Sequence, residues 1–265
     1  MDGNVDQGTE RTAAELRLQL AQMTMASQLL GGCAQDGKSQ GYLAMLNQGI
    51  CRMLRIVGRL ELSARLGEED PPRMDWAAAD LARLTEELGE RMAGLLAGAD
   101  VTLTVNVPER LTARVDEGLI RQMIMELVSN GAKAAIAAKA GGQVTLTLEA
   151  RGDRAVFTVE DDGPGVAPER LQYLFSSEEE AVPNWRRGGV GVAIARRAAA
   201  LHGGTLMAGC APGKGLRAVA SIPLGSLEGA VLESPGLSWD RGGFDDELVA
   251  LSDLLPAKAF RPEDR

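Results

Sequence analysis

The sequence of 265 residues contains few aromatic residues, few cysteines and a single histidine. Phe, Trp and Tyr together make up 3% of the chain, so platforms for stacking single-stranded bases are scarce. The formal net charge of −9 opposes binding to a phosphate backbone, which requires clustered Lys and Arg side chains. We therefore expect no nucleic-acid partner.

The cysteines and the hydropathy pattern exclude further classes of protein. Cys33, Cys51 and Cys210 are odd in number and far apart, which fits neither a disulfide framework nor metal-ligand spacing. No apolar run approaches the roughly 20 residues that cross a bilayer, and the polar, acidic N-terminal segment has no signal-peptide pattern. The sequence predicts a globular cytoplasmic protein without a membrane partner.

Residues 1–70 have the apolar spacing of two helices joined by a Gly-rich break. The periodic positions are Ala13, Leu16, Leu20, Met23, Ser27 and Leu30, then Leu43, Leu46, Ile50, Met53, Val57, Leu60 and Ala64. This a/d pattern predicts an antiparallel helical hairpin. Because a lone hairpin leaves apolar seams exposed, we expect a homodimer in which two hairpins form a four-helix bundle. The alternative is a hairpin packed on its own C-terminal domain.

Pro71 and Pro72 end the second helix and mark a domain boundary. Residues 71–224 then mix helical and strand patterns, beginning with a predicted helix that includes Trp76, Leu81 and Leu95, followed by a strand from Val101. Together with the hairpin-like pair QVTLTLEA and AVFTVED, they predict an α+β fold with a two-layer α/β sandwich.

Residues 225–265 are rich in Gly and acidic residues and predict an acidic, largely flexible tail. Within this tail, DDELVALSDLLPAKAF fits a short amphipathic helix capped by its aspartates. The sequence leaves open whether that helix docks on a partner or folds back on its own chain.

The stretch ELVSNGAKAA, residues 126–135, places three polar residues on one face of a predicted helix. Glu126 and Asn130 are one turn apart, and Lys133 follows them. An amide oxygen suits Mg²⁺, a carboxylate can orient a water or accept a proton, and Lys can reach a phosphate as a point charge. For the helix taken alone, a solvated polar face is the alternative.

Two glycine clusters follow that helix. In EDDGPGV, Gly163 and Gly165 allow the backbone to approach a ligand closely, and Asp162 is placed to accept a hydrogen bond from an exocyclic amino group such as that of adenine. In RRGGVGVAIARR, Gly189 and Gly191 open a helix whose free N–H groups favour phosphate oxygens. The alternatives are an ordinary Asp-Gly turn and a flexible loop before a helix.

These segments follow the order found in one family. The chain resembles the ATPase superfamily of gyrase, chaperone, mismatch-repair and histidine-kinase catalytic domains, known as GHKL. ELVSNGAKA resembles its N box, DDGPGV its G1 box and GGVGV its G2 box, while LQYLF resembles the segment ending at an aromatic, here Phe175. LHGGTL after the G2 helix is typical of histidine kinases, and the resemblance covers about residues 76–224.

The resemblance implies ATP and Mg²⁺ as ligands. Asn130 would hold Mg²⁺, Asp162 would bind the adenine amino group and Glu126 would be catalytic. The remaining ATP-binding residues would be Lys133, Gly163, Gly165, Phe175, Arg187, Gly189 and Gly191. Residues 175–188 would form the ATP lid. Two positions depart from the family pattern, because Arg187 replaces the first glycine of the G2 box and Leu216 replaces a threonine of a third glycine motif.

The hairpin resembles the dimerisation and phosphotransfer domain of histidine kinases, with one departure. Its best match to the acceptor motif is AELRLQL, residues 14–20, where Ala14 takes the place of the phosphoacceptor histidine. The only histidine, His202, falls at the end of the G2 helix, where a helix-terminal role is expected. We therefore predict an ATP-binding, histidine-kinase-like signalling protein of a two-component system that does not autophosphorylate on its own hairpin.

Two other functions stay open at this point. One is a non-catalytic, ATP-gated scaffold or pseudokinase that docks a response regulator or a partner kinase. The other is a plain ATPase, in which Glu126 would activate water. The resemblance favours an ATP-dependent kinase of the histidine-kinase type. The sequence does not decide whether ATP is hydrolysed, transferred or only bound.

Overall fold

The computed structural model describes residues 3–34, 36–67, 73–138, 141–166, 189–210, 215–225 and 244–261. The chain divides into two compact units. Residues 1–70 and 238–265 form the hairpin unit, and residues 71–237 form the second unit. Within the described ranges, no helix combines the length and the apolar content that crossing a bilayer requires.

The hairpin unit is built on two antiparallel helices, α1 (Gly3–Gly31) and α2 (Gly37–Gly67). Its buried face includes the apolar residues Ala13, Leu20, Leu43, Ile50, Leu54 and Val57. Two polar contacts join the helices, because Ser27 Oγ donates to Asn47 Oδ1 at 2.6 Å and Arg17 pairs with Glu61. The predicted hairpin is therefore present, but its predicted seam is only partly buried, because the two helices turn one stripe each towards the other and leave Leu16, Met23, Leu30, Leu46, Met53 and Leu60 exposed.

The C-terminal segment, residues 244–261, packs on α2. It consists of a short helix, α6 (Asp246–Ala250), a turn, and a 3-10 helix (Ala257–Phe260). Leu251 and Phe260 are fully buried, which explains why this part of the tail is held in place. Of the two alternatives left open by the sequence, the structure has the segment folded back on its own chain, and the description of a largely flexible tail does not apply to residues 244–261.

The second unit contains two sheets. In the smaller one, β1 (Trp76–Asp80) pairs antiparallel with β3 (Thr112–Asp116) to form the β1–β3 ribbon. The larger sheet has five strands, in the order β2 (Val101–Asn106), β4 (Gly142–Arg151), β5 (Arg154–Asp161), β7 (Leu216–Pro223) and β6 (Thr205–Cys210). β2 and β4 are parallel, and the other neighbours are antiparallel.

Within the described ranges, three helices pack on the larger sheet: α3 (Leu81–Ala97), α4 (Glu117–Ala138) and α5 (Val190–Leu201). Alternate side chains of each strand face these helices because successive residues of a strand point to opposite faces. The buried set includes Val144, Leu146 and Leu148 of β4 and Ala155, Phe157 and Val159 of β5. The α+β fold predicted from the sequence is confirmed.

The start of the second unit differs from the sequence-based expectation. Trp76 lies in β1, whereas a helix was predicted from this residue onward. The helix begins at Leu81 because the Asp80 carboxylate caps it, accepting from the backbone N–H groups of Ala82 and Arg83. The alanine-rich stretch before this cap pairs with β3, a strand that the sequence pattern did not reveal. The hairpin-like pair predicted from the sequence corresponds to β4 and β5, which are antiparallel.

Candidate functional site

α4 carries its three predicted polar residues along one face, with exposure increasing towards the C-terminal end. Glu126 is only 3% exposed and accepts a hydrogen bond from Gln122 Nε2 at 3.0 Å. Asn130 is half-buried and Lys133 is exposed. A turn of about 100° per residue places the three within a sector of roughly 60°. This face therefore leads from a buried carboxylate to an exposed ammonium group.

Asp161, the last residue of β5, is held by two backbone donors. Its Oδ1 accepts from Gly163 N at 2.9 Å and from Leu216 N at 3.2 Å. Burial raises the pKa of the Asp161 carboxyl, although both hydrogen bonds act in the opposite direction. The carboxylate thus joins the glycine turn after β5 to the start of β7.

The glycines around Asp161 are required by the space available. A Cβ at Gly163 would lie 2.9 Å from the carbonyl carbon of Ala134 on α4, and a Cβ at Gly215 would overlap the backbone of Asp161. A Cβ at Gly131 on α4 would lie 3.6 Å from the Cβ of Asp161. Only glycine at 163 and 215 allows α4, the turn and β7 to converge on this carboxylate.

Asp162, the carboxylate singled out from the sequence, makes different contacts. Its Oδ1 accepts from Gln143 N at 2.8 Å, and its own N–H donates to Gln143 O at 3.1 Å. These two hydrogen bonds therefore connect the turn after β5 to the start of β4. Sequence reasoning missed Asp161, and the alternation of β5 is the signal that would have found it. Asp161 is in phase with Phe157 and Val159, which face the helices.

His202 fixes the C-terminal end of α5. Its Nδ1 lies 2.7 Å from Ala198 O, and its Nε2 accepts from Asp116 N at 3.0 Å, just before α4 begins. Because Nε2 accepts, the proton is on Nδ1 and the imidazole is neutral. Burial lowers the pKa of His202, and the Trp76 ring packs edge-on with centroids 5.3 Å apart. The helix-terminal role expected for His202 is what the structure has.

The hydrogen bond between His202 and Asp116 also shows the direction of α5 relative to α4. α5 packs along α4, and its C-terminal end lies at the N-terminal end of α4, so the two helices run antiparallel. α5 has 12 residues, about 18 Å, and an equal distance along α4 from Asp116 leads to about Val128, two residues before Asn130. Gly189, with φ of 78°, caps α5 without a side-chain hydrogen bond, and Gly191 is buried in its first turn. Gly189 and Gly191 of the predicted G2 box thus lie at the end of α5 that is distant from His202.

Of the remaining predicted site residues, Gly165 is among the described residues and two others are not. Gly165 follows the turn with φ of 71°, a conformation that favours glycine. Phe175 and Arg187, together with the predicted lid, lie outside the described residues. Among the residues that the structure describes, no group of three His, Cys, Asp or Glu side chains is arranged to hold a metal ion.

Residues 115–226 match the model of the family described as histidine kinase-, DNA gyrase B- and HSP90-like ATPase. The second unit contains a domain of this family. The match includes α4, the turn after β5 and α5, so the convergence on Asp161 lies within the ATPase-family domain.

Curated relatives match a larger part of the chain. Sensor histidine kinase TmoS of Ectopseudomonas mendocina is 28% identical over 213 residues, covering 77% of this chain and 22% of that protein. Sensor protein kinase PmrB of Pseudomonas aeruginosa is 28% identical over 219 residues, covering 81% of this chain and 45% of that protein. This chain therefore spans less than half the length of either relative.

Solved structures agree with this relationship. Full-length ShkA in complex with AMPPNP superposes with a TM-score of 0.65 and 25% identity, covering 85% of this chain and 47% of ShkA. The histidine kinase AdeS of Acinetobacter baumannii shares the fold, with a TM-score of 0.52 and 18% identity over 79% of this chain. The ATPase-family domain is thus of the histidine-kinase-like type found in sensor kinases.

Proposed function

We propose that this chain is an ATP-binding, histidine-kinase-like protein of a two-component system that cannot phosphorylate its own hairpin. One observation carries this proposal: the only histidine of the sequence, His202, is buried in the ATPase-family domain with both ring nitrogens bonded. Ala14, which takes the acceptor position on α1, is exposed, and a methyl group cannot accept a phosphoryl group. A phosphoryl group from ATP would have to pass to another chain.

For the adenine contact, we assign to Asp161 the role predicted for Asp162. Both backbone donors bond to Oδ1 of Asp161, so Oδ2 is the atom that would accept from an exocyclic amino group. Guanine has a carbonyl oxygen at that place, which the carboxylate would repel. The glycine turn supports this assignment, because it leaves no side chain between Asp161 and α4. Asp162 is engaged with β4 and would contribute to the shape of the turn.

The phosphates would lie between the N-terminal end of α5 and the polar face of α4. The N–H groups after Gly189 favour negative charge there, and Lys133 would add a point charge. Asn130 offers an amide oxygen suited to Mg²⁺, which when bound would neutralise phosphate charge. The ion would bind together with the nucleotide, because Mg²⁺ is commonly held by few protein ligands and by phosphate oxygens. Gly163, Gly165 and Gly191 would shape the pocket.

The surface of the hairpin supports a homodimer. Two exposed rows repeat every seven residues, Leu16, Met23 and Leu30 on α1 and Leu46, Met53 and Leu60 on α2. The contacts of Ser27 with Asn47 and of Arg17 with Glu61 set an antiparallel register in which the two rows stand at matching levels. Together they form one apolar strip, which a second hairpin would cover in a four-helix bundle. A response regulator or a partner kinase would be the further partner.

Measurements of nucleotide affinity distinguish the proposed roles of Asp161 and Asp162. Asp161→Asn should weaken ATP binding roughly 10- to 100-fold, because a hydrogen bond to a charged group contributes about 1.5–3 kcal/mol. Asp162→Asn is the matched neighbour and should change affinity much less. Titration calorimetry with Mg²⁺ and ATP measures both, and GTP tests the base preference. A loss confined to the Asp162 variant would contradict the assignment to Asp161.

The fate of the γ-phosphate tests the rest of the proposal. Purified protein incubated with Mg²⁺ and γ-labelled ATP should acquire no acid-labile protein-bound label, since the hairpin has no acceptor. Such a label, lost in His202→Gln, would overturn the proposal. With a histidine-containing acceptor chain added, we expect label on that chain. This transfer should be lost in Asn130→Ala and kept in Asn106→Ala, an exposed asparagine at the opposite end of the sheet.

A plain ATPase is the second candidate, and the position of Glu126 favours it. This buried carboxylate lies one helical turn before Asn130, where it would orient a water or accept its proton. Release of free phosphate that is abolished by Glu126→Gln and kept by Glu117→Gln, on the first turn of the same helix, would establish this alternative. Absence of release would exclude it.

A further inference from the structure

The turn after β5, residues 161–166, is held firmly at its start. Oδ1 of Asp161 accepts from Gly163 N inside the turn and from Leu216 N at the beginning of β7. These two hydrogen bonds fix the first half of the turn against the sheet. Its last residue, Val166, lies three residues beyond Gly163, so the course of the second half depends on a different contact.

A cysteine sulfur supplies that contact. Val166 N donates to Sγ of Cys210, the last residue of β6, and the nitrogen and sulfur are 3.3 Å apart. Cys210 is a free, half-buried thiol. Sulfur is a weak acceptor, but the residue before Val166 is Gly165, whose backbone has few conformational limits of its own. A single hydrogen bond therefore has a large influence on where the turn ends.

Cys210 and Leu216 together hold both ends of the turn. The two residues are directly opposite each other and form the last pair of the β6–β7 ladder. The backbone N–H of Leu216 bonds to Asp161 at the start of the turn. The sulfur of Cys210 bonds to Val166 at its end. One pair of strand residues thus spans the six-residue segment that carries the proposed adenine contact.

The two ends of the turn differ in how closely they are packed. At the start, a Cβ at Gly215 would overlap the backbone of Asp161. At the end, Cys210 belongs to β6, which is the edge strand of the sheet, and Gly209 before it has open space where a Cβ would be. Close packing therefore fixes the start of the turn, whereas the hydrogen bond to the sulfur fixes its end.

We propose that Cys210 is a positioning residue for the adenine subsite and acts through the turn after β5. By accepting from Val166 N, the sulfur fixes the course of the segment that contains Gly163 and Gly165, the two glycines that would shape the pocket. Displacement of this segment would change the space beside Asp161 in which the base would bind. The role of Cys210 in base binding rests on the proposed function.

Two substitutions separate the acceptor from the volume of the side chain. Cys210→Ser keeps an acceptor at the γ position, whereas Cys210→Val fills a similar volume without one. In titration calorimetry with Mg²⁺, ATP affinity should fall about 2- to 10-fold in Cys210→Val, the range that one neutral hydrogen bond supplies. Affinity should be restored in Cys210→Ser. Thr205→Val, at the exposed opposite end of β6, is the control and should bind ATP as the parent chain does.

Hydrogen exchange followed by NMR measures the contact without nucleotide. A hydrogen-bonded amide is protected, so the Val166 amide should exchange faster in Cys210→Val and be protected again in Cys210→Ser. The amides of Gly163 and Leu216, which bond to Asp161, should keep their exchange rates. An unchanged Val166 amide in Cys210→Val would overturn the proposal. Faster exchange of all three amides would also overturn it, because the substitution would then loosen the whole region.

The two measurements distinguish failure of this role from failure of the proposed function. If the parent chain binds no ATP, the proposed function fails and the role of Cys210 in base binding fails with it. If the parent chain binds ATP and Cys210→Val binds it equally tightly, only the positioning role is wrong, even where Val166 exchanges faster. The expected result is a loss of ATP affinity that serine restores, with faster exchange confined to Val166.

Discussion

The two units of the chain differ in how much apolar surface each leaves uncovered. In the described part of the second unit, the large exposed apolar side chains are Trp76, Ile136 and Met207. Among the hairpin residues whose side chains the structure describes, twelve are exposed: Leu16, Leu18, Met23, Met25, Leu29, Leu30, Tyr42, Met45, Leu46, Met53, Ile56 and Leu60. Large exposed apolar surfaces often mark interaction sites, and among the described residues the hairpin has far more of this surface than the ATPase-family domain.

The difference follows from the geometry of the two units. A sheet covered by three helices buries one whole face, as the side chains of β4 and β5 do. Two helices in a hairpin can turn only one stripe each towards the other. Residues 244–261 cover a second stripe of α2. A third stripe of α2, centred on Met53, is exposed. The comparison predicts that the two units will respond differently to substitution.

The largest effect is expected at the exposed strip of the hairpin. Met23→Glu combined with Met53→Glu would place four carboxylates in the bundle of the proposed homodimer, and burying charge without a partner is costly. Dimer dissociation should increase on the order of a thousandfold or more, measured by sedimentation velocity. Met207→Glu, an exposed methionine of the ATPase-family domain, should leave the oligomeric state unchanged. A variant that remains dimeric would show that the strip is not the interface.

A smaller effect is expected when the pH is lowered, and it concerns the free energy of unfolding of the ATPase-family domain. Burial lowers the pKa of His202 from 6.5, so below that pH the unfolded chain takes up a proton more readily than the folded one. The free energy of unfolding should therefore fall as pH falls below 6.5, by at most about 1.4 kcal/mol per pH unit, down to the lowered pKa. Urea unfolding of the parent chain and of His202→Gln measures this, and the difference between them should shrink towards acid pH. Hydrogen exchange of α2, which has no histidine, should not follow the same trend.

The smallest effect on the free energy of unfolding is expected when one helical glycine in each unit is replaced by alanine. Gly94 in α3 and Gly49 in α2 both have open space where a Cβ would be. Gly94→Ala should raise the free energy of unfolding by about 0.5–1 kcal/mol, the difference between the two residues in a helix. Gly49→Ala should give the same gain in a monomeric hairpin and a different value if a second copy packs there. Equal gains in a chain shown to be dimeric would place Gly49 outside the interface.

Local patterns predicted much of the architecture. Seven-residue spacing such as that of Leu43, Ile50 and Val57 was sufficient to predict the helices of the hairpin, because a helix turns the same face every two turns. The order of the N box, G1 box and G2 box was sufficient to suggest the ATPase family, which the family match confirms. The roles of individual site residues stay predictions, and the lid with Phe175 and Arg187 lies outside the described residues.

The fold and the contacts of individual residues were hardest to predict where partners are distant in sequence. Trp76 was assigned to a helix, but its segment pairs with β3, about forty residues later. The choice between Asp161 and Asp162 depends on which backbone groups reach each carboxylate, and those belong to Leu216 and Gln143. The alternation of β5 places Asp161 on the side that faces the helices, but no local pattern shows that Leu216 and Gln143 supply these contacts.

By itself, the sequence determined the helical seams, the glycines at the turns, the family of the second unit and the absence of a histidine from the hairpin. Each of these depends on residue type or on spacing within a few turns. Only the tertiary structure decided that His202 is bonded to the residue before α4, that Asp161 is the carboxylate on which the glycines converge, and that residues 244–261 return to α2. These are long-range contacts, and their partners are chosen by the space and the unsatisfied hydrogen-bonding groups that folding brings together.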